Sequence, residues 1–375
     1  MNHFACISRR DFLRGGIAAI AACPLLPLFA QSGTPGKKDD QKTASYYESL
    51  PGQEVRCHLC PWQCRVPPGS RGKCGVRENQ AGRYVSLVYG RPVTTHTDPV
   101  EKKPFFHVYP GSQAFSIATT GCNFDCKFCQ NWDISQAKPE QIPVPFVSPD
   151  EIADKAKEQN VRAVAYTYSE PTIFFEYMRD CAKAAKERGL ANLMVSNGFI
   201  AAEPLADLCK LMTAIKVDFK AFSPDFYQQV CSGELQPVLD TLQRVHDAGV
   251  WLEVVNLVIP TLNDNMDDIK RMAAWLVKHA GPDVPLHFTR FHASYKIRNL
   301  PPTPIQTLVR AREVAMAEGC RFVYTGNYPG NEGEHTSCPT CHKLLVKRYG
   351  LTAPEVFIVN GKCPACQAAI PGRWN

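Results

Sequence analysis

From residue 113 onward, short β-rich apolar runs alternate with helical patterns, and this alternation constrains the fold more than any other feature. It predicts βα units built around a parallel sheet. Strands are expected at Ala114–Ala118, Ala163–Tyr168, Asn192–Ser196, Ala214–Phe219, Leu252–Ile259, Leu286–Phe291 and Arg321–Thr325. Helices are expected between them. One starts at Ser148-Pro149-Asp150-Glu151, where Ser148 can cap, Pro149 suits the first turn and Glu151 completes a capping box. Others are expected at Ile173–Arg188, Pro237–Ala248, Met266–His279 and Pro304–Glu318, mostly stopped by Gly189, Gly249, Gly281 and Gly319. Chemically suggestive residues cluster just after the strands: Gly121-Cys122, Ser169-Glu170-Pro171, Asn197-Gly198, Asp218-Phe219-Lys220, Pro260-Thr261 and His292. In parallel βα folds, ligands gather at the carboxyl ends of the strands.

The chain carries 17 cysteines in 375 residues. The count is odd and most of them fall in tight groups, which argues for metal or cluster ligation rather than paired disulfides. Cys122-Asn-Phe-Asp-Cys126-Lys-Phe-Cys129 follows the first strand of the alternation. Three thiolates can hold three corners of a [4Fe–4S] cluster, whereas electron-transfer clusters usually take four, so one iron would be left open.

With this CxxxCxxC loop and the aromatic Phe128 before its last cysteine, the chain resembles the radical S-adenosylmethionine (SAM) superfamily. Glu101-Lys-Lys-Pro-Phe-Phe-His107, Gly121 to Trp132, Tyr166-Thr-Tyr-Ser-Glu-Pro-Thr-Ile-Phe-Phe-Glu176 and Gly326-Asn327 resemble the radical SAM component of the AmmeMemoRadiSam system, itself similar to pyruvate formate-lyase activating enzymes. The resemblance implies an α/β fold, a partial (β/α)6 TIM-like barrel with a Cys-rich amino-terminal segment and a carboxyl-terminal zinc ribbon. It also implies that SAM chelates the open iron and is reductively cleaved to a 5′-deoxyadenosyl radical, which abstracts hydrogen from a substrate or partner protein. Such chemistry needs a low-potential electron donor. Memo-like and AMMECR-like proteins are implied as partners.

Residue roles follow from that resemblance. Glu170, with Ser169, occupies the place of the superfamily's Gly-Gly-Glu and would hold the SAM ammonium. Asp218 and Lys220 match the activating enzymes' Asp-x-Lys after the fourth strand, and His292 matches their histidine after the sixth. All three are catalytic candidates. Two residues apart, Arg290 and His292 should share a strand face, making Arg290 a candidate for the methionine carboxylate. Asn197, Asp218 and Phe128 complete the cofactor-binding candidates.

Cys338-Pro-Thr-Cys341 and Cys363-Pro-Ala-Cys366 have the two-knuckle spacing of a zinc ribbon, with a hairpin expected around Leu344–Val359 and a rubredoxin-like iron site as the alternative. Cys57, Cys60, Cys64 and Cys74 suit either a structural zinc or an auxiliary [4Fe–4S] cluster, and the spacing leaves the choice open. Cys181, Cys209, Cys231 and Cys320 read as small apolar fillers.

Ser8-Arg9-Arg10-Asp11-Phe12-Leu13-Arg14, followed by an apolar stretch to Ala30, resembles a twin-arginine export signal, and Cys23 offers a second, lipid-anchored reading. The expected organisation is a signal at 1–30, a linker at 31–48, a Cys-rich segment at 49–112, the radical SAM barrel at 113–332 and the ribbon-like tail at 333–375. Export is therefore expected, with a cytoplasmic location the alternative, and no transmembrane span is expected in the mature chain. The net charge of +6 falls to +4 without the leader. So mild an excess, with no basic aromatic-rich stretch, predicts no nucleic-acid partner. From another class, a metal- or iron–sulfur-carrying scaffold without radical chemistry would share the cysteines but have no need of Glu170 or of an open three-cysteine site.

Overall fold

The computed structural model describes residues 41–374, so the export signal and most of the linker lie outside the described residues. Its centre is one eight-stranded sheet. In chain order the strands are β1 (Thr94–Pro99), β2 (Gln113–Ala118), β3 (Ala163–Tyr166), β4 (Ala191–Ser196), β5 (Ala214–Asp218), β6 (Trp251–Val258), β7 (Leu286–Arg290) and β8 (Val323–Gly326). Strands β2 to β8 are parallel and sequential neighbours, while β1 adds antiparallel to β2 at one edge.

The seven parallel strands coincide with the seven expected runs to within one or two residues. β1 was not expected: its sequence, Thr-Thr-His-Thr-Asp-Pro, has no apolar alternation, and most of it is exposed or half-buried. Polar composition and a terminal Pro suit an edge that must not recruit another strand.

The crossovers are helices α1 (Pro149–Glu158), α2 (Phe175–Glu187), α3 (Ala202–Cys209), α4 (Leu235–Asp247), α5 (Met266–Ala280) and α6 (Ile305–Ala317). The Ser148 hydroxyl accepts from the Glu151 N–H at 3.2 Å while the Glu151 carboxylate accepts from the Ser148 N–H at 2.7 Å, the reciprocal capping box. α2 begins later than its apolar pattern suggests because Pro171–Phe174 winds as a 3₁₀ turn first.

Alternation along the strands sorts side chains onto two faces. Ala114, Ala163, Ala165, Leu193 and Ala214 pack together on one of them. These small residues leave room for Phe105 and Val108 from the segment before β2, which are fully buried among them. Burying one such Phe stabilises the fold by about 1.5–3 kcal/mol. Val164 and Tyr166 belong instead to the larger core beneath the helices.

The same Glu101-to-His107 segment joins the sheet to the tail. The Phe106 and His107 N–H groups donate to the Glu253 carboxylate at 3.0 and 2.9 Å. Arg348, buried in the tail, donates to the Phe106 carbonyl at 2.6 Å. The tail itself is a three-stranded antiparallel sheet of Thr336–Ser337, Leu344–Lys347 and Glu355–Val356, with its hairpin inside the expected range. The amino-terminal segment forms two further three-stranded sheets, Tyr47–Ser49 with Val55–Cys57 and Arg65–Val66, and Lys42–Thr43 with Arg83–Ser86 and Arg77–Gln80.

Candidate active site

At the carboxyl ends of β2 to β8 lies a cavity of about 770 Å³. Cys122, Cys126, Cys129, Phe128, Ser169, Glu170, Asn197, Asp218, Lys220 and His292 all line it. Ten of the eleven residues expected at the site are thus brought together from five strand ends.

Arg290 is the exception. Its side chain donates to the Thr303 carbonyl at 2.9 Å and does not line the cavity. β7 stops at Arg290, so the two-residue alternation does not continue to His292. The inward face of β7 is carried by His287 and Thr289 instead. His292 is exposed on the loop beyond.

The cysteine loop is held from three sides. The Asp125 and Lys127 N–H groups donate to the Cys231 and Val230 carbonyls at 3.1 and 2.9 Å, fastening the loop to the π-helical turn Tyr227–Cys231. The Asn197 amide donates to Asn123 Oδ1 at 2.8 Å and lies 3.9 Å from the Cys122 sulfur. Lys296 and Ile297 donate backbone N–H groups to the Lys127 carbonyl at 2.9 and 3.1 Å. Asn197 therefore positions the loop with its side chain already engaged. Cys231 is more than a filler: it lies beside Cys126 and, with the Lys220 ammonium, lowers the Cys126 thiol despite burial. Burial, with Glu170 nearby, pushes the Cys122 thiol up.

Glu170 is buried. Oε1 accepts from the Thr172 N–H at 3.0 Å and the Ser196 hydroxyl at 2.7 Å, and Oε2 accepts from the Asn197 N–H at 2.7 Å. A carboxylate offers about four acceptor positions, so these three donors leave room for one cation. Burial raises its carboxyl above the usual range. The residue two before it, Tyr168, sits at φ 65°, the left-handed region that glycine adopts at less cost. The conformation is held by three contacts: the Tyr168 hydroxyl donates to Asp98, Lys103 donates to that hydroxyl at 2.8 Å, and Asn131 donates to the Tyr168 carbonyl at 2.9 Å. The Ser169 hydroxyl is buried and has no protein partner among the described residues.

Lys216 and Asp218 on β5, and Lys220 two residues past its end, all reach the cavity. Lys216 donates to Asp218 Oδ1, and Lys220 Nζ lies 3.5 Å from Oδ2. Burial alone would raise the Asp218 carboxyl, but the two ammonium groups outweigh it and hold the group below the usual range. Lys216 was not among the expected residues, although two-residue alternation along β5 places it on the same face as Asp218. Lys103 and His287, the latter held by Glu253 with Nε2 to Oε2 at 2.8 Å, also line the cavity without having been expected: they come from the segment before β2 and from mid-strand rather than from strand ends.

A second cysteine centre lies in the tail. Cys338 and Cys366, and Cys341 and Cys363, stand 3.6 Å apart, sulfur to sulfur, and all four sulfurs fall within 4.8 Å of one another. A tetrahedral ion with Zn–S bonds of about 2.3 Å spaces its sulfurs by about 3.8 Å. The residues after the two knuckles, His342 and Gln367, both take positive φ, 60° and 61°, so the turns repeat each other. The structure also brings Cys57, Cys60, Cys64 and Cys74 together.

The radical SAM superfamily model matches residues 116–276. An uncharacterized protein of Methanocaldococcus jannaschii is 43% identical over 327 residues, covering 87% of this chain and 97% of that protein. The pyruvate formate-lyase-activating enzyme of Clostridium pasteurianum is 21% identical over 162 residues, 41% of this chain and 65% of that enzyme. Among solved structures, a domain of a pyruvate-formate lyase-activating enzyme from Bacteroides vulgatus aligns with a TM-score of 0.40 at 15% identity, covering 44% of this chain and 99% of that domain. Motif, cavity and relatives agree: the chain belongs to the radical SAM superfamily and is a radical SAM enzyme.

Proposed function

We propose that Cys122, Cys126 and Cys129 hold a [4Fe–4S] cluster at the wall of the strand-end cavity, with SAM beside it, at the mouth of a partial (β/α)6-type barrel. The observation that carries this reading is the set of groups facing the cavity. Three thiols on one loop stand opposite a buried carboxylate with one acceptor position left, next to an unpartnered Ser169 hydroxyl. These residues fit the cluster and SAM. The three thiols are not gathered into a single-ion group as those of the tail are, and a cluster has each thiolate bind a different iron. When bound, the cluster supplies the electron that cleaves SAM to methionine and a 5′-deoxyadenosyl radical.

The chain's own residues divide the remaining work. Glu170 takes the SAM ammonium at its free acceptor position. Lys220 faces Cys126 and the Asp218 carboxylate, and Lys216 holds that carboxylate ionised and in place. Phe128, with the Lys220 ammonium 5.5 Å from its ring, walls off the loop from water. His292, exposed at the rim of the cavity, is placed to meet an arriving substrate. A cavity of this size lies within the range of small-molecule sites, and hydrogen abstraction would occur at its mouth.

Relatives named as activating enzymes support a protein as the hydrogen donor. Memo-like and AMMECR-like proteins are the partners we would test first, with a low-potential protein as electron donor. The tail is proposed to carry zinc. Export by a twin-arginine signal remains part of the proposal; no helix among the described residues is long and apolar enough to cross a membrane. Fractionation with a reporter fused to residues 1–35 tests it, and an uncut cytoplasmic product overturns it.

The central test is anaerobic reconstitution with iron and sulfide, followed by SAM and a strong reductant. Formation of 5′-deoxyadenosine, abolished in Cys126→Ala, is the expected result. A reconstituted cluster that never yields it overturns the reading.

A further inference from the structure

The four amino-terminal cysteines sit in a pocket unlike that of the tail. The four tail sulfurs all lie within 4.8 Å of one another, as a single ion requires, and the amino-terminal four are not gathered into such a group. One tetrahedral ion needs sulfurs about 3.8 Å apart at Zn–S bonds of about 2.3 Å.

The surroundings are those of a buried, anionic sulfur group. Each sulfur has an N–H donor: Arg77 Nη1 at 3.5 Å from Cys57, the Lys73 N–H at 3.4 Å from Cys64, and the backbone N–H groups of Trp62 and Val76 for Cys60 and Cys74. The Tyr84 hydroxyl is completely buried, lies close to Cys57, Cys64 and Cys74, and has no hydrogen-bond partner among the described residues. A buried hydroxyl left unsatisfied costs about 1–3 kcal/mol, so a donor aimed at this space calls for an acceptor within it. Gly72 keeps the approach open. A Cβ there would stand 2.8 Å from the Tyr84 oxygen and 3.7 Å from the Cys64 sulfur. Arg77 is itself anchored to Glu176 at 2.6 Å and to the Ser45 carbonyl at 2.7 Å, so its cationic edge is fixed toward Cys57.

We infer that Cys57, Cys60, Cys64 and Cys74 ligate a second [4Fe–4S] cluster, with all four irons bound by protein and none open to SAM. It adjoins the barrel loop. Trp62 Nε1 donates to the Asn123 carbonyl at 2.8 Å, and a Cβ on Gly121 would meet the Cys74 carbonyl at 2.9 Å. The cluster therefore lies against the residues flanking Cys122, where it can exchange single electrons with the barrel site. That last role rests on the radical SAM reading; the cluster itself does not.

Iron, acid-labile sulfide and zinc are counted on anaerobically reconstituted full-length protein and on the Cys122→Ala/Cys126→Ala/Cys129→Ala variant. About eight irons in the wild type and about four in the variant are expected. The variant's reduced EPR signal should be unmoved by SAM. If both clusters form, the reduced wild type should show a spectrum broadened by mutual coupling relative to those of the variant and of Cys60→Ala/Cys64→Ala. About four irons in the wild type, with none left in the variant, overturns the inference while leaving the barrel reading intact. Two zincs per chain does the same. Should the variant fail to fold, the wild-type iron count decides alone. Iron surviving in the variant while the wild type never cleaves SAM would instead overturn the barrel reading and leave this one standing.

Discussion

The Glu170 carboxylate accepts the backbone N–H of Asn197 at 2.7 Å, so the end of β3 is tied to the end of β4 through the same group that faces the cavity. Replacing it by Gln should therefore act twice. The amide cannot accept from all three present donors and loses the charge that draws an ammonium. A hydrogen bond to a charged partner is worth about 1.5–3 kcal/mol, or about 10- to 150-fold in affinity. Glu170→Gln is expected to weaken SAM binding by that factor with iron content unchanged, as measured by equilibrium binding. Unchanged affinity with lowered thermal stability would reduce Glu170 to a strand tie.

Asp218 stands between two ammonium groups, so its removal should be felt by both. Asp218→Asn leaves Lys216 and Lys220 facing each other with no anion between them. Removing Lys216 as well should relieve part of the loss. A double-mutant cycle on urea unfolding is expected to give a coupling of at least ~0.5 kcal/mol between positions 216 and 218, the lower end for residues in contact. Additive effects would show that the pair is not coupled in solution.

The parallel sheet is legible in the sequence because its strands are short, largely apolar runs, several of them rich in alanine or β-branched residues and set off by glycine, as β4 is by Gly189 and Gly198. The strand-end chemistry was legible because parallel βα units place those ends together. The misses have physical causes. β1 is an edge strand whose polar residues carry no period. Arg290 was assigned a face by extending alternation past the point where the strand stops. Lys216 was overlooked although the same alternation marks it. Cys231 belongs to a π-helical turn about 100 residues from its partner Cys126, a contact that local pattern cannot show. Tyr168 takes a glycine-like conformation that only its tertiary contacts sustain.

The buried pair Arg77–Glu176 predicts a large effect on stability. Both side chains are almost wholly inaccessible, at 1% and 0% exposure. Breaking such a pair from one side costs about 3–5 kcal/mol, because the remaining charge is stranded. Glu176→Gln should lower the unfolding free energy by that amount in denaturant titration. A change below ~1 kcal/mol would mean that Arg77 finds another anion, such as the thiolates beside it.

Metal removal should separate the tail from the sheet. Cys338 and Cys363 are buried and Cys341 and Cys366 exposed, so a chelator can reach the site from one side. Loss of one ion per chain should expose Leu345 and Val346, which are fully buried in the folded tail. Limited proteolysis after chelation is expected to cut within 336–366 while the sheet stays intact. Cys363→Ser should be cut without chelator. Full resistance of the metal-free protein would show that the tail folds without an ion.

Acid should loosen the same tail through His107. Its Nδ1–H donates to the Pro371 carbonyl at 2.7 Å and its Nε2 accepts from the Tyr324 hydroxyl at 2.6 Å, an arrangement that fixes the neutral ring. Burial lowers its pKa from 6.5 to about 4. Between those values the unfolded chain takes up a proton that the folded chain refuses, so stability falls as pH drops from 6.5 toward 4 and is flat above. At about 1.4 kcal/mol per pH unit the loss approaches ~3 kcal/mol. His107→Asn should lower stability near pH 7, where the ring's bonds are lost, and flatten the acid limb of the denaturation profile. An acid limb identical in the two proteins would assign the pH dependence to other groups.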